Sequence, residues 1–190
     1  TFFEPWEGAA AAVRAAVDHP DRTAKDRAQD EKRRPVDIMM FAGVAPGQKV
    51  IDLFSAGGWY GELLARAVGP GGQVYVQNPA DVRMGAKDLD PRLANARLPN
   101  VVRWDRNMND LGLPPEYFDG AMLNLVFHDF FTLSQDVDDI LADLNAGLKR
   151  GAWVDLDENE VRAVRRLAGG ERSARPEQGG GRGPDRGGAR

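Results

Sequence analysis

One short stretch constrains this chain more than any other. Lys49-Val50-Ile51-Asp52-Leu53-Phe54-Ser55-Ala56-Gly57-Gly58-Trp59-Tyr60 puts a short apolar run directly before a turn that carries an acid and two glycines. The spacing predicts a buried strand over 49–53 and a turn over 54–58. Tyr60, Leu63, Leu64, Ala67 and Val68 then recur at i, i+3, i+4, i+7 and i+8, which places them on one face of a helix. Glycines in such a turn let backbone N–H groups approach a ligand closely, and the helix N-terminus adds a positive partial charge. A nucleotide-like cofactor is held in this way at the C-terminal edge of a parallel sheet.

The rest of the chain supplies more units of the same kind. Gly69-Pro70-Gly71-Gly72 stops the helix, and Gln73-Val74-Tyr75-Val76-Gln77 reads as a second strand. An irregular helix is expected over 81–96, broken near Asp90-Pro91, and a third strand over 101–104. A fourth strand runs over 118–127 with Gly120-Ala121-Met122-Leu123 as its buried run. Ser134 can cap a helix carrying Val137, Ile140, Leu141, Leu144 and Leu148, and Trp153-Val154-Asp155-Leu156 offers a fifth strand in which Asp155 intrudes, with Asp157 just after it. Strands alternating with helices give an α/β, Rossmann-like three-layer sandwich around a mostly parallel sheet.

Before this domain, taken as 36–157, lies a helical and charged extension over 1–35. Residues 7–17 read as a helix, and the dense charge over 21–34 as a solvated helix laced with i,i+4 pairs. Pro35 opens the next helix, in which Met39-Met40 is core. The segment 158–190 is charged at first. From Gly169 onward it holds eight glycines and five arginines and no Val, Ile, Leu or Phe, a composition expected to be disordered. An RNA-binding Arg-Gly tail would carry aromatics, and this one has none.

Composition narrows the chemistry. With no cysteine and only His19 and His128, neither a thiolate nor a histidine-rich metal site is expected. A net charge of −4 argues against a general nucleic-acid surface. No apolar run approaches the roughly 20 residues that cross a bilayer. The expected place is the cytoplasm, although the chain begins at Thr1 and leaves open a signal peptide removed before it.

The turn discriminates among cofactors. A dinucleotide site wants Gly-x-Gly-x-x-Gly to pass a pyrophosphate. Here Phe54 and Ser55 occupy the first positions and only Gly57 and Gly58 follow. Asp52 instead suits a ligand with amino and sulfonium positive charges, which favours S-adenosylmethionine. An NAD(P)-dependent oxidoreductase is the competing reading, and a non-catalytic protein that keeps only the cofactor-binding half is another.

Val50 to Tyr60 resembles motif I of the class I S-adenosylmethionine-dependent methyltransferases. A closer resemblance is to a bacterial group of predicted methyltransferases of unknown substrate. It rests on the charged segment Asp21 to Pro35, then Phe41-Ala42-Gly43-Val44-x-Pro46-Gly47, Val74-Tyr75-x-Gln77-Asn78 and Asn124-Leu125-x-Phe127-His128-Asp129. The resemblance implies that Asp52, Ala56, Gly57 and Gly58 line the methionine part of the cofactor. It puts Gln77 and Asn78 near the ribose, where many class I enzymes have an acid instead. Asn107 or Asp110 would meet the adenine amino group.

Methyl transfer needs the acceptor aligned about 3 Å from the sulfonium carbon, with a base if the acceptor carries a proton. His128, with an ordinary pKa of about 6.5, is the candidate base. Asp129 orients it or binds the acceptor, and Asn124 lies beside them. Each has a plainer reading, since Asn124 can satisfy a strand end and Asp129 can cap a turn. The acceptor is expected to be a small organic molecule, with no nucleic-acid or membrane partner.

The class I sheet normally has seven strands, and five are visible here. After Asn145-Ala146-Gly147-Leu148-Lys149 the family pattern implies a Lys-Pro-Gly-Gly turn and a strongly apolar strand, whereas this chain continues Arg150-Gly151-Ala152-Trp153. The expectation is a change of coding frame or a truncated gene near Lys149, leaving the fold incomplete at its C-terminus. Neighbouring frames of the gene that restore no apolar strand and terminal hairpin would refute it.

Overall fold

A computed structural model describes residues 4–79, 86–108, 110–124 and 137–156. Seven α-helices, one 3-10 turn (Ala94–Ala96) and five strands follow along them: α1 (Glu4–Val17), α2 (Ala24–Arg27), α3 (Asp30–Arg33), α4 (Pro35–Ala42), β1 (Lys49–Asp52), α5 (Trp59–Val68), β2 (Gln73–Asn78), α6 (Ala86–Leu93), β3 (Val101–Asp105), β4 (Phe118–Leu123), α7 (Val137–Gly147) and β5 (Leu148–Leu156). The strands form one sheet in the order β3-β2-β1-β4-β5, and every pairing is parallel. The order reverses beside β1, whose C-terminal end is thereby a topological switch point.

Alternation along the central strands builds two cores, one on each face. Val50, Val74, Val76 and Met122 pack with Val13, Met39, Tyr60, Leu63 and Leu64 under α1, α4 and α5. Ile51, Leu53, Ala121 and Leu123 pack with Ile140 and Leu144 of α7 on the other face. This is the expected three-layer sandwich. The predicted apolar face of α5 is buried throughout, in one cluster with Val13, Ala16 and Val17 of α1 and Val50, Val74 and Val76 of the sheet. Met39 is fully buried and Met40 only partly so, packed against the same cluster.

The fifth strand forms in spite of Asp155. Leu148 pairs with Phe118, but Trp153 pairs with Gly120, so residues 149–152 bulge opposite Asp119. Gly151 takes a positive φ in this bulge, and Lys149 reaches Asp119 Oδ1 at 2.7 Å. Regular pairing then runs to Leu156, beyond the point where the composition shifts. The segment 158–190 and its expected disorder lie outside the described residues.

The charged stretch over 21–34 departs from the expected solvated helix. It folds as two four-residue helices, and Arg22 and Asp26 are buried. Arg22 donates to Val17 O and to both carboxylate oxygens of Asp30, at 2.8 and 2.6 Å. Asp26 faces Arg92 of α6 rather than a neighbour on its own helix. Long-range pairing makes burial of these charges affordable, where i,i+4 pairing would have left them in water. The helix expected over 81–96 likewise runs through Pro91 to Leu93, and ends where Asn95 and Ala96 take positive φ.

Gly120 shows how tightly β4 and β5 are packed. A Cβ there would lie 2.0 Å from Trp153 Cε2, inside the indole ring system. Gly120→Ala is therefore expected to destabilise the protein by about 1–3 kcal/mol in urea unfolding, as overpacking does. Gly8→Ala, where a Cβ meets nothing within 4 Å, should show no such loss.

Candidate functional site

The turn after β1 is built on strained backbone. Phe54 and Ala56 have φ of 53° and 49°, in the left-handed region that non-glycine residues avoid, and Gly58 has φ of 74°. Side chains at the end of β2 hold this path. Gln77 Oε1 accepts from Phe54 N at 2.9 Å, and Gln77 Nε2 donates to Arg106 O at 2.7 Å. Asn78 brackets Ala56, accepting from its N–H at 2.8 Å and donating to its carbonyl at 3.2 Å. The Ser55 N–H donates to Gln77 O at 2.8 Å.

Gln77 and Asn78 thus engage the turn backbone itself. This adds to the ribose-facing role that the resemblance implies for them a structural one that the sequence did not suggest. Their amides explain the departure from an acid: an amide both donates and accepts, and the turn requires both.

Asp52 ends β1 directly beneath the turn and is 4% exposed. The Ser55 hydroxyl and the Gly61 N–H donate to its carboxyl, but burial outweighs them and pushes its pKa up to about 7. Among the described residues, no cation stands among the groups acting on it. A buried carboxyl raised to about 7 is stabilised in its charged form by a positive group brought beside it, which fits a ligand that carries an ammonium or sulfonium group.

The two glycines answer partly to packing. A Cβ on Gly57 would lie 2.9 Å from Asp88 Cβ, and one on Gly58 would lie 2.8 Å from Leu89 Cδ1. Their small size is what lets α6 close over the turn. Gly58 also forms the N-cap of α5. At Gly61, a Cβ would strike Val76 and approach the Asp52 carboxyl, so close packing of α5 on β1 and β2 excludes a side chain there too.

Other candidates sit along the same C-terminal edge. Register places Asp105 of β3 beside Asn78, and Asp155 of β5 beside Met122 of β4. Asn107 and Asp110 lie exposed after β3, joined through a 3.1 Å bond from Asp110 N to Asn107 O. Asn124 Nδ2 lies 3.3 Å from the buried Asp155 carboxylate. Asp155 is absent from the sequence-based set of candidates. Its signal was the acid inside an otherwise apolar run, which read only as a flaw in the strand. His128 and Asp129 lie outside the described residues.

Trp59 and Tyr60 serve packing. Tyr60 is buried in the α5 core and donates to Arg33 O at 3.2 Å, while Trp59 Nε1 donates to Asp26 O at 3.1 Å. His19 occupies a turn, where its Nδ1 accepts from Asp21 N at 3.2 Å.

The raised pKa of Asp52 has a definite sign in stability. Between its ordinary value of 3.8 and about 7 the folded state keeps a proton that the unfolded state has released, so stability falls as pH rises through that window. The slope from one such group is at most about 1.4 kcal/mol per pH unit. Asp26 and Glu62 act oppositely: burial would raise them, but bonds from Arg92 and Arg97 respectively, with other partners, hold both below their ordinary values. Their contribution disappears only as pH falls below about 4. Asp52→Asn is therefore expected to flatten the pH 5–7 slope of urea-unfolding stability and leave the acid limb unchanged.

No family model matches the chain, and no curated protein matches it in sequence. Solved structures do match. A SAM-dependent methyltransferase from Aquifex aeolicus superposes with a TM-score of 0.63 at 18% identity, covering 84% of this chain and 87% of that one. An arsenic(III) S-adenosylmethionine methyltransferase from Chlamydomonas reinhardtii superposes with a TM-score of 0.50 at 22% identity, covering 73% of this chain and 45% of that one. At these identities the likeness is one of fold. With the strand order β3-β2-β1-β4-β5 and the strained turn after β1, the chain has the Rossmann-like fold of the class I S-adenosylmethionine-dependent methyltransferases.

Proposed function

We propose that the protein is an S-adenosylmethionine-dependent methyltransferase acting on a small organic acceptor, and that it works in the cytoplasm. The observation that carries this reading is Asp52, a buried carboxyl at the switch point of a methyltransferase fold on which no cation among the described residues acts. S-adenosylmethionine would supply an activated methyl group on a sulfonium. Asp52 would hold the cofactor's positive methionine end, ionising as it does so. The turn from Phe54 to Gly58, fixed by Gln77 and Asn78, would present the backbone edge against which the cofactor lies. Asn78 and Gln77 would keep the ribose side of the cleft in register, and Asn107 or Asp110 would meet the adenine.

On the acceptor side, Asn124 and Asp155 offer an amide and a carboxylate at adjoining strand ends. They can orient a polar acceptor or take up its proton. His128 remains the proposed base, with Asp129 orienting it. Carboxyls at the ends of β1, β3 and β5 make this edge acid-rich, and the net charge of −4 agrees with a small acceptor rather than a nucleic acid.

Titration calorimetry tests the reading. S-adenosylmethionine and S-adenosylhomocysteine are expected to bind, and Asp52→Ala to weaken S-adenosylmethionine at least tenfold, about 1.4 kcal/mol. Because binding ionises Asp52, affinity should rise with pH up to about 7 and level off above it, and below that point the observed binding enthalpy should vary linearly with buffer ionisation enthalpy, the slope giving the protons released. Binding of NADP in place of both ligands would overturn the proposal.

A further inference from the structure

Arg92 joins two stretches of the chain that lie far from it in sequence, Gly57 to Glu62 and the segment around Asp26. Its Nε donates to Gly57 O at 2.7 Å, on the turn itself. Nη1 and Nη2 donate to the two carboxylate oxygens of Asp26, each at 3.0 Å, and Nη1 also donates to Glu62 in α5. Arg97 and Arg66 hold the remaining Glu62 oxygen at 2.6 and 2.9 Å. The side chains of Arg92, Asp26 and Glu62 are 12%, 8% and 1% exposed, so the cluster is shielded from solvent screening.

The geometry is that of a forked clamp. A planar guanidinium can satisfy a carbonyl, a bidentate carboxylate and a second carboxylate together, which an ammonium cannot. The anchored carbonyl belongs to Gly57, the residue before the N-cap of α5 and directly after the strained Ala56. Asp26 belongs to the charged N-terminal segment, which Trp59 also grips through its bond to Asp26 O and through the Arg33 guanidinium 4.8 Å above its ring. A cavity of about 260 Å³ opens beside the clamp, lined by Thr23, Lys25, Asp88, Pro91 and Arg92 among others. The clamp therefore borders this cavity and is held by its ion pairs.

We propose that Arg92 is a positioning residue for the turn, and that Asp26 makes the N-terminal charged segment part of the ligand site by latching it to that turn. The segment is then a strap: with the latch closed, Gly57 is fixed and the turn is preorganised for its ligand. With the latch open, the turn loses one of its anchors and binds more weakly. The effect on affinity rests on the methyltransferase reading; the effect on the turn does not.

The test uses the full chain with Arg92→Lys and the milder Asp26→Asn, and with Asp119→Asn as a control. Asp119 pairs with Lys49 N and Lys149 at the opposite end of β1. Two quantities are read below each variant's unfolding midpoint: amide hydrogen exchange at Ser55, Ala56 and Gly58, and the Kd for S-adenosylhomocysteine. Arg92→Lys is expected to speed exchange at those three amides about tenfold and to raise Kd about tenfold. Asp26→Asn should do both about threefold, and Asp119→Asn neither. Unchanged exchange at the turn in both latch variants overturns the proposal, whatever the ligand does. Faster exchange with an unchanged Kd overturns its affinity half. If the wild-type chain fails to bind the ligand, the methyltransferase reading fails and the exchange data alone decide the latch.

Discussion

The structure depends on a turn that cannot hold its own shape. Between β1 and α5 the backbone takes positive φ at Phe54, Ala56 and Gly58, and two of these residues bear side chains that disfavour it. Each such residue costs on the order of 1 kcal/mol. The offset comes from β2, where the Gln77 and Asn78 amides and the Gln77 carbonyl bind consecutive backbone groups of the turn at 2.8–2.9 Å. Net values of about 1 kcal/mol per bond are enough to hold it. The turn thus exists because β1 and β2 are already paired, and its geometry is a tertiary property rather than a local one.

Much of the architecture follows from that arrangement. Gly58 starts α5 at a fixed angle, and α5 then buries its apolar face against β1, β2 and α1. Gly57 and Gly58 are small enough for α6 to close over the turn, which brings Arg92 within reach of Gly57 O. Arg92 in turn draws in Asp26 and Glu62, so the N-terminal segment is folded onto the site through ion pairs. The order of cause runs from strand pairing, to the turn, to α6, to the N-terminal strap.

The sheet and its helices were legible in the sequence because hydrophobic period is a local signal. Val50 to Asp52, the i, i+3, i+4 face of α5 and the Gly120 to Leu123 run each declare themselves within a few residues. The charged segment was not legible in this way. Asp21 to Arg34 has the composition of a solvated helix, and only the partner 66 residues further on at Arg92 explains why Asp26 is buried. The same holds for β5: its acid argues against a strand until Asn124 is seen to pair with Asp155. At the site, Asp52 could be singled out from its place before the glycine turn. The second use of Gln77 and Asn78 could not, since a side chain that grips a backbone across two strands leaves no periodic trace.

Asp52 joins the fold to its proposed chemistry. Burial raises its pKa to about 7, and the Ser55 hydroxyl and Gly61 N–H orient its carboxyl. The direct test is a carbon-13 NMR titration of the Asp52 side-chain carboxyl, assigned by comparison with Asp52→Asn, in the absence and presence of S-adenosylmethionine. The expected result is a midpoint of about 7 in the free protein that moves to lower pH when the ligand is added. A free-protein midpoint near 4, or one near 7 that saturating S-adenosylmethionine leaves in place, would contradict the account.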